Sequence, residues 1–166
     1  QINFEPKLIA HTAGSISINV LEKFKNHGVF YPFQTFSKNN NLGSETLPIF
    51  IEANTQDNEN TLLNIAKSLS ENVQLVSSEQ RKNCHLAAVF ACNFTNHMYA
   101  IAEGILEENN ISFDVIKPLI LETALKVQKL SPKLSQTGPA SRNDKLVMKA
   151  HEKQLASVHL EKMYSF

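Results

Sequence analysis

From Ser78 to Glu108 the chain carries no proline, and this run constrains the fold more than any other feature. A proline inside a helix removes a backbone donor and collides with the preceding turn, so a long proline-free run can wind without interruption. Its apolar residues include Leu86, Val89, Phe90, Phe94, Met98, Ile101 and Ile105. They recur at helical spacing over a wide arc, which predicts one long helix over 78–108 buried on more than one side. Phe113–Leu130 predicts a second helix, with Pro118 tolerated in its first turn and Pro132 closing it. A third is expected from Lys145 to Tyr164.

Before residue 77 the pattern changes. Phe4–Ala10, Gly28–Phe36, Leu47–Ala53 and Val73–Ser77 are short apolar or β-branched runs bounded by Gly, Pro, Asn or Ser, the mark of strands. Ile16–Asn26 and Asn60–Leu69 have helical spacing, and the polar tract SKNNNLGSE at 37–45 reads as a loop. Strand–helix alternation predicts an α/β part over 1–77, followed by an all-helical part over 78–166.

Composition narrows the function classes. A chain of 166 residues suffices for one domain or two small parts, and 42% hydrophobic residues support a core. Lys plus Arg equals Asp plus Glu at 16 each, so net charge does not draw this chain to nucleic acid. No apolar run approaches a membrane span, and no signal peptide is visible at the start. Cys84 and Cys92 lie two helical turns apart, beyond disulfide reach within one helix. A cytoplasmic protein with free thiols is expected.

The chain has no Gly-x-Gly-x-x-Gly turn, no phosphate loop and no metal-ligand spacing, so no metal site is expected. Four short constellations remain. In AHTAGS, His11 and Thr12 end a strand, Gly14 permits a tight turn and Ser15 is placed to cap a helix. That stretch reads equally as a strand end with a cap or as a ligand-binding edge. In YPFQTFS, Pro32, Gln34 and Thr35 follow a strand, as an aromatic edge or as polar groups offered to a ligand. On the long helix, His85, Cys92 and Asn96 fall within about 20° of one stripe at the regular helical period, with Asn93 and His97 beside them. Such groups are either satisfied polar residues of the core or the lining of a wet cleft. In TGPASRND, Ser141 or Asp144 can cap the last helix, while Arg142 stands beside the positive helix end and His151 lies two turns on. Arg142 either pairs with Asp144 at the surface or offers a bidentate fork to a substrate anion.

HTAGS, YPFQTFS, LPIFIEAN, KNCHLAAVFACNF and QTGPASRND…H occur in an order and spacing that resembles an uncharacterised family of proteins provisionally assigned as NADP oxidoreductases. The family joins a Rossmann-like domain to a helical C-terminal domain of unknown function. It is similar in build to pyrroline-5-carboxylate reductase and to 6-phosphogluconate-dehydrogenase-like proteins. The resemblance covers nearly the whole chain. It implies a partial Rossmann-like sheet, late strands only, followed by a 6-phosphogluconate-dehydrogenase C-terminal-like helical domain. It also implies hydride transfer to or from a small carbonyl, imine or hydroxy acid. Under it, His11, Thr12, Gly14, Ser15, Pro32, Gln34 and Thr35 border the cofactor, NADP in the full-length protein. His85, Asn93 and His151 are the catalytic candidates, and Thr137, Gly138, Arg142 and Asp144, with Pro139, face the substrate. A homodimer through the helical part is implied as well. Two positions depart from the family, which has His where Tyr31 stands and Gly where Asn143 stands. The glycine-rich first βαβ unit is missing, so the chain reads as a piece of the family's protein and is expected to bind NADP poorly alone. The competing expectation is a helical ligand-binding or interaction domain without enzymatic activity.

Overall fold

The computed structural model describes residues 7–35, 46–155 and 157–164. The predicted loop at 37–45 and the first residues of the predicted strand 4–10 lie outside them. The chain divides into two compact units, Gln1–Ile101 and Ala102–Phe166.

The first unit is built on four strands, β1 (Ile9–His11), β2 (His27–Pro32), β3 (Ile49–Ala53) and β4 (Val73–Leu75), in the order β1-β2-β3-β4. β1 and β2 are parallel, with His11 opposite Val29. β3 runs antiparallel to β2, pairing Val29 with Glu52 and Tyr31 with Phe50, and β4 is parallel to β3. The sheet is therefore mixed. Its β3-helix-β4 passage, through α1 (Gln56–Lys67), is the parallel crossover unit expected of an α/β layer.

Alternation along β3 assigns the two faces of the sheet. Ile49 and Ile51 pack with Leu62 and Ala66 of α1 into the buried core, with Phe30, Leu63 and Val73 against it. Burying each large side chain of this kind contributes roughly 1.5–3 kcal/mol. Phe50 and Glu52 alternate with these, and Glu52 is met by α2 (Ser78–Ala88). Gly28 is needed where α1 approaches, because a Cβ there would lie 2.6 Å from Leu62 Cδ1 and 2.7 Å from the Glu52 carbonyl oxygen.

Two local expectations are corrected. Ile16–Asn26 is not an α-helix but a short 3-10 turn, Ile18–Leu21, and its cap is Ser17 rather than Ser15: the Ser17 side chain accepts from the Asn19 N–H. The long helix contains a π-helical segment, Val89–Phe94, between α2 and α3 (Thr95–Glu107). The Thr95 hydroxyl donates to the Phe90 carbonyl at 3.3 Å, supporting the widened turn. A π-turn changes the register of everything after it, so the stripe of His85, Cys92 and Asn96 drawn at 3.6 residues per turn does not run straight through.

The division between the compact units falls inside α3. The start of α2 belongs to the sheet because Arg81, completely buried, bonds to Glu52 of β3. Burial of the long helix on several sides is not met within this chain: Leu86, Phe90, Phe94, Met98 and Ile105 are all exposed.

The second unit holds a 3-10 turn at Phe113–Ile116, then α4 (Lys117–Lys129), α5 (Pro132–Ser135), α6 (Lys145–Gln154) and α7 (Val158–Tyr164). Pro118 sits in the first turn of α4, as its sequence position requires. The expected third helix is two, α6 and α7. Leu155 is extended at ψ 124°, which ends α6.

Candidate functional site

The site begins with a helix that carries two polar side chains one turn apart, each with its own partners. Ser77 caps α2 and is met reciprocally by Gln80, so the first turn is fixed by a capping box. Arg81 and His85 then lie four residues apart, on one face of the helix.

Arg81 spends its guanidinium on four partners. Its Nη1 donates to Glu52 Oε2 at 2.5 Å, its Nε to the Ala13 carbonyl at 3.3 Å, and its Nη2 to the Ile16 carbonyl at 2.6 Å and Ser78 Oγ at 3.1 Å. The Ser78 hydroxyl donates to Glu52 Oε2 at 2.7 Å and accepts the Ile18 N–H at 3.0 Å. Burial alone pushes the Glu52 carboxyl up, but the hydrogen bonds from Arg81 and Ser78 and the Arg81 charge outweigh it, leaving it below its ordinary value. A buried charge is tolerable only when paired and hydrogen-bonded in this way.

One turn on, His85 Nδ1 lies 3.2 Å from the Tyr31 hydroxyl, with the rings edge to face. Tyr31 is further packed against Phe33 and Phe50. Gly14 completes the contact. A Cβ there would fall 2.7 Å from His85 Nδ1 and 2.7 Å from the Tyr31 hydroxyl, so only glycine lets the HTAGS turn come this close without displacing them. Burial raises the Tyr31 phenol above its usual range, the Arg81 charge opposes that rise and Cys84 adds to it. The phenol thus keeps its proton at neutral pH. When the phenol is the donor to Nδ1, the ring proton of His85 stands on Nε2.

His11 stands beside this cluster. Its Nδ1 accepts the Ala13 N–H at 3.2 Å, and its Nε2 is buried without a hydrogen-bond partner among the described residues. Burial is the main cause that lowers its pKa, and the Arg81 charge lowers it further. The Ser17 backbone and Glu52 pull the other way, near enough to favour the charged ring but without restoring it.

Thr12, Ser15, Gln34 and Thr35 are exposed, and Gln34 Oε1 accepts the Thr35 N–H at 2.9 Å. Pro32 ends β2. Asn93, in the π-turn, is exposed, as are Cys92, Asn96 and His97. No group of His, Cys, Asp and Glu among the described residues forms a metal site.

In the second unit, Thr137–Asp144 folds as a compact turn. Asp144 caps α6, its Oδ1 accepting the Val147 N–H at 3.2 Å, and its own N–H donates to the Pro139 carbonyl at 2.9 Å. Ser141 is not the cap; its hydroxyl donates to the Gly138 carbonyl at 2.9 Å. Gly138 and Asn143 take positive φ, 98° and 54°. That backbone explains why a glycine is at home at position 143, and asparagine is a residue type that also tolerates it. Arg142 is exposed and makes no ion pair among the described residues; Asp144 is engaged as the cap instead. His151 Nδ1 lies 2.6 Å from the Tyr164 hydroxyl, a pair that joins α6 to α7. Gly14, Tyr31 and His85 thus meet in the first unit, whereas Arg142, Asp144 and His151 form local arrangements of the second. Glu52, Ser78 and Arg81 were missed from the sequence; the one signal was a lone carboxylate in the apolar run IFIEA.

Residues 47–166 match the family model described as a domain of unknown function, DUF2520. The chain belongs to this family. The DUF2520 match takes in Glu52, Arg81 and His85, while His11, Gly14 and Tyr31 precede it, so the cluster is assembled across its boundary. No curated protein matches the chain. Among solved structures, the chain is similar to a Bacteroides fragilis protein carrying the provisional name NADP oxidoreductase. The two are 49% identical at a TM-score of 0.93, covering 98% of this chain and 63% of the other. A Thermotoga maritima protein, TM1727, shares the fold at a TM-score of 0.77 and 21% identity, over 95% of this chain and 64% of the other. The chain therefore spans under two thirds of the length of either. These likenesses support an oxidoreductase-like fold, a partial Rossmann-like sheet followed by helices. No helix among the described residues is long and apolar enough to cross a membrane.

Proposed function

We propose that this DUF2520 chain is the substrate-side portion of an NADP-dependent oxidoreductase acting on a small carbonyl, imine or hydroxy acid. The observation that carries the reading is the Tyr31–His85 pair seated on the Gly14 turn, just past the carboxyl end of β1. The carboxyl ends of strands are where ligands bind in sheets of this kind.

The residues fit one end of the cofactor. The Gly14 turn and the exposed Thr12, Ser15 and Gln34 offer polar groups suited to a nicotinamide amide. The sequence contains no glycine-rich turn for the pyrophosphate. NADP, when bound, supplies or accepts the hydride. His85 handles the proton: its Nε2–H donates to the substrate oxygen or nitrogen as the adjacent carbon is reduced, the Tyr31 hydroxyl proton passes to Nδ1 in the same step, and solvent restores the phenol once the alcohol or amine has formed. Tyr31 holds the imidazole in the tautomer that can do so.

Self-association accompanies this role. None of the described residues after Ala102 is fully buried, and Leu134 and Leu146 are 74% and 84% exposed. Apolar surface on this scale marks an interface, and we propose a homodimer.

The test is titration of the intact protein with NADPH and with NADH, followed by cofactor oxidation with a panel of small carbonyls, imines and keto acids. Saturable NADPH binding with turnover on one class supports the reading. Absence of binding to either nucleotide rejects it and favours a non-enzymatic interaction domain.

A further inference from the structure

We infer that Arg81 is a positioning residue that fixes the HTAGS turn against the Tyr31–His85 pair. The inference rests on the reading of that pair as the proton-handling centre. Its own basis is the geometry of one guanidinium.

Arg81 Nε and Nη2 hold the carbonyls of Ala13 and Ile16, which bracket Gly14 in the chain. Four residues on, the same helix presents His85, whose Nδ1 would lie 2.7 Å from any Cβ on Gly14. Clamp and target therefore share a single turn of α2, and the distance between loop and imidazole is set by that helix. Glu52 locks the third corner from β3, and Ser78 ties the guanidinium to both Glu52 and the Ile18 N–H. The arrangement needs a planar fork. A lysine ammonium keeps the charge opposite Glu52 but cannot reach two carbonyls from different residues and the carboxylate at once.

An ion pair that merely stabilises the fold is the competing account, and Arg81→Lys separates the two. The measurement is NMR of the unliganded chain with labelled histidine and tyrosine, reading the ring nitrogens of His85 and the ring signals of Tyr31. His85→Asn and Tyr31→Phe assign them, and His151, bonded to Tyr164 in the other unit, serves as the internal reference. In folded Arg81→Lys, the His85 nitrogens are expected to lose the shifts of a single tautomer and move toward the average of both, with Tyr31 displaced and His151 unchanged. Ser78→Ala, which removes only the bridging hydroxyl, is expected to move the same signals in the same direction by less.

If either folded variant leaves His85 and Tyr31 at their wild-type positions, whatever happens to the melting temperature, the positioning role is overturned. Should Arg81→Lys not fold, Ser78→Ala decides by the same signals. No cofactor enters the experiment, so its outcome is independent of NADP binding by the intact protein.

Discussion

The Tyr31 hydroxyl on β2 and His85 Nδ1 on α2 lie 3.2 Å apart, although 54 residues separate them in the chain. The contact exists because β3 brings Phe50 beside Tyr31 and Glu52 beside Val29, while α2 sets Arg81 on Glu52 and His85 one turn further along. Strand alternation and helical period thus match over one turn.

Gly14 is the position where this match is most sensitive. Gly14→Ala places a methyl group within 2.8 Å of three side-chain atoms of Tyr31 and His85. Their separation is expected to cost about 1–3 kcal/mol, as overpacking does. Chemical denaturation reads the loss, and stability equal to wild type would show that the turn is looser than described.

Acid should destabilise the first unit in two stages. The pKa values of His11 and Glu52 are both lower in the fold than their ordinary values of 6.5 and 4.5. For each group the unfolded chain binds the proton more readily, so its contribution is full above the ordinary value and lost as pH falls through the folded one. Stability should begin to decline below about pH 6.5 through His11 and fall further below about 4.5 through Glu52. Urea denaturation at stepped pH checks this, with His11→Gln expected to remove the upper stage. A stability that rises on acidification contradicts the assignment.

Much of this fold is legible in the sequence because it is local. The short strands, the Asp144 cap and Pro118 in a first turn all follow from residue types and spacing. Three features are not legible. Arg81 and Glu52 are joined across 29 positions, and a charged residue in an amphipathic helix is indistinguishable from a solvated one until its partner is placed. The π-turn at Val89–Phe94 has no composition of its own, so its sequence follows the regular helical period. Ser15 and Ser17 are equally good caps by type, and the backbone alone selects Ser17. Of the candidate site, His85 and Gly14 were chosen from the sequence, but Tyr31 stood out only as a departure from the family.

The TGPASRND turn yields a graded series. Asn143 holds φ 54°, so Asn143→Ala is expected to cost about 1 kcal/mol and Asn143→Gly nearly nothing. Asp144→Ala removes the α6 cap and should cost about 1 kcal/mol as well. Melting temperatures of the three variants give the order. An alanine at 143 as stable as glycine would show that the left-handed backbone is not required.

Association is the expected fate of the exposed leucines. Light scattering across a concentration series should give twice the chain mass, and Leu134→Asp combined with Leu146→Asp should return it to the single-chain value. A wild-type chain that stays monomeric at tens of micromolar contradicts the homodimer.

The central claim is that His85 moves a proton while Tyr31 holds its ring. Steady-state kinetics of His85→Gln in the intact protein test it most directly. The account predicts kcat lower by roughly 10²–10⁴-fold, with NADPH affinity and melting temperature unchanged. Turnover at the wild-type rate, or a loss that follows the melting temperature, would contradict it.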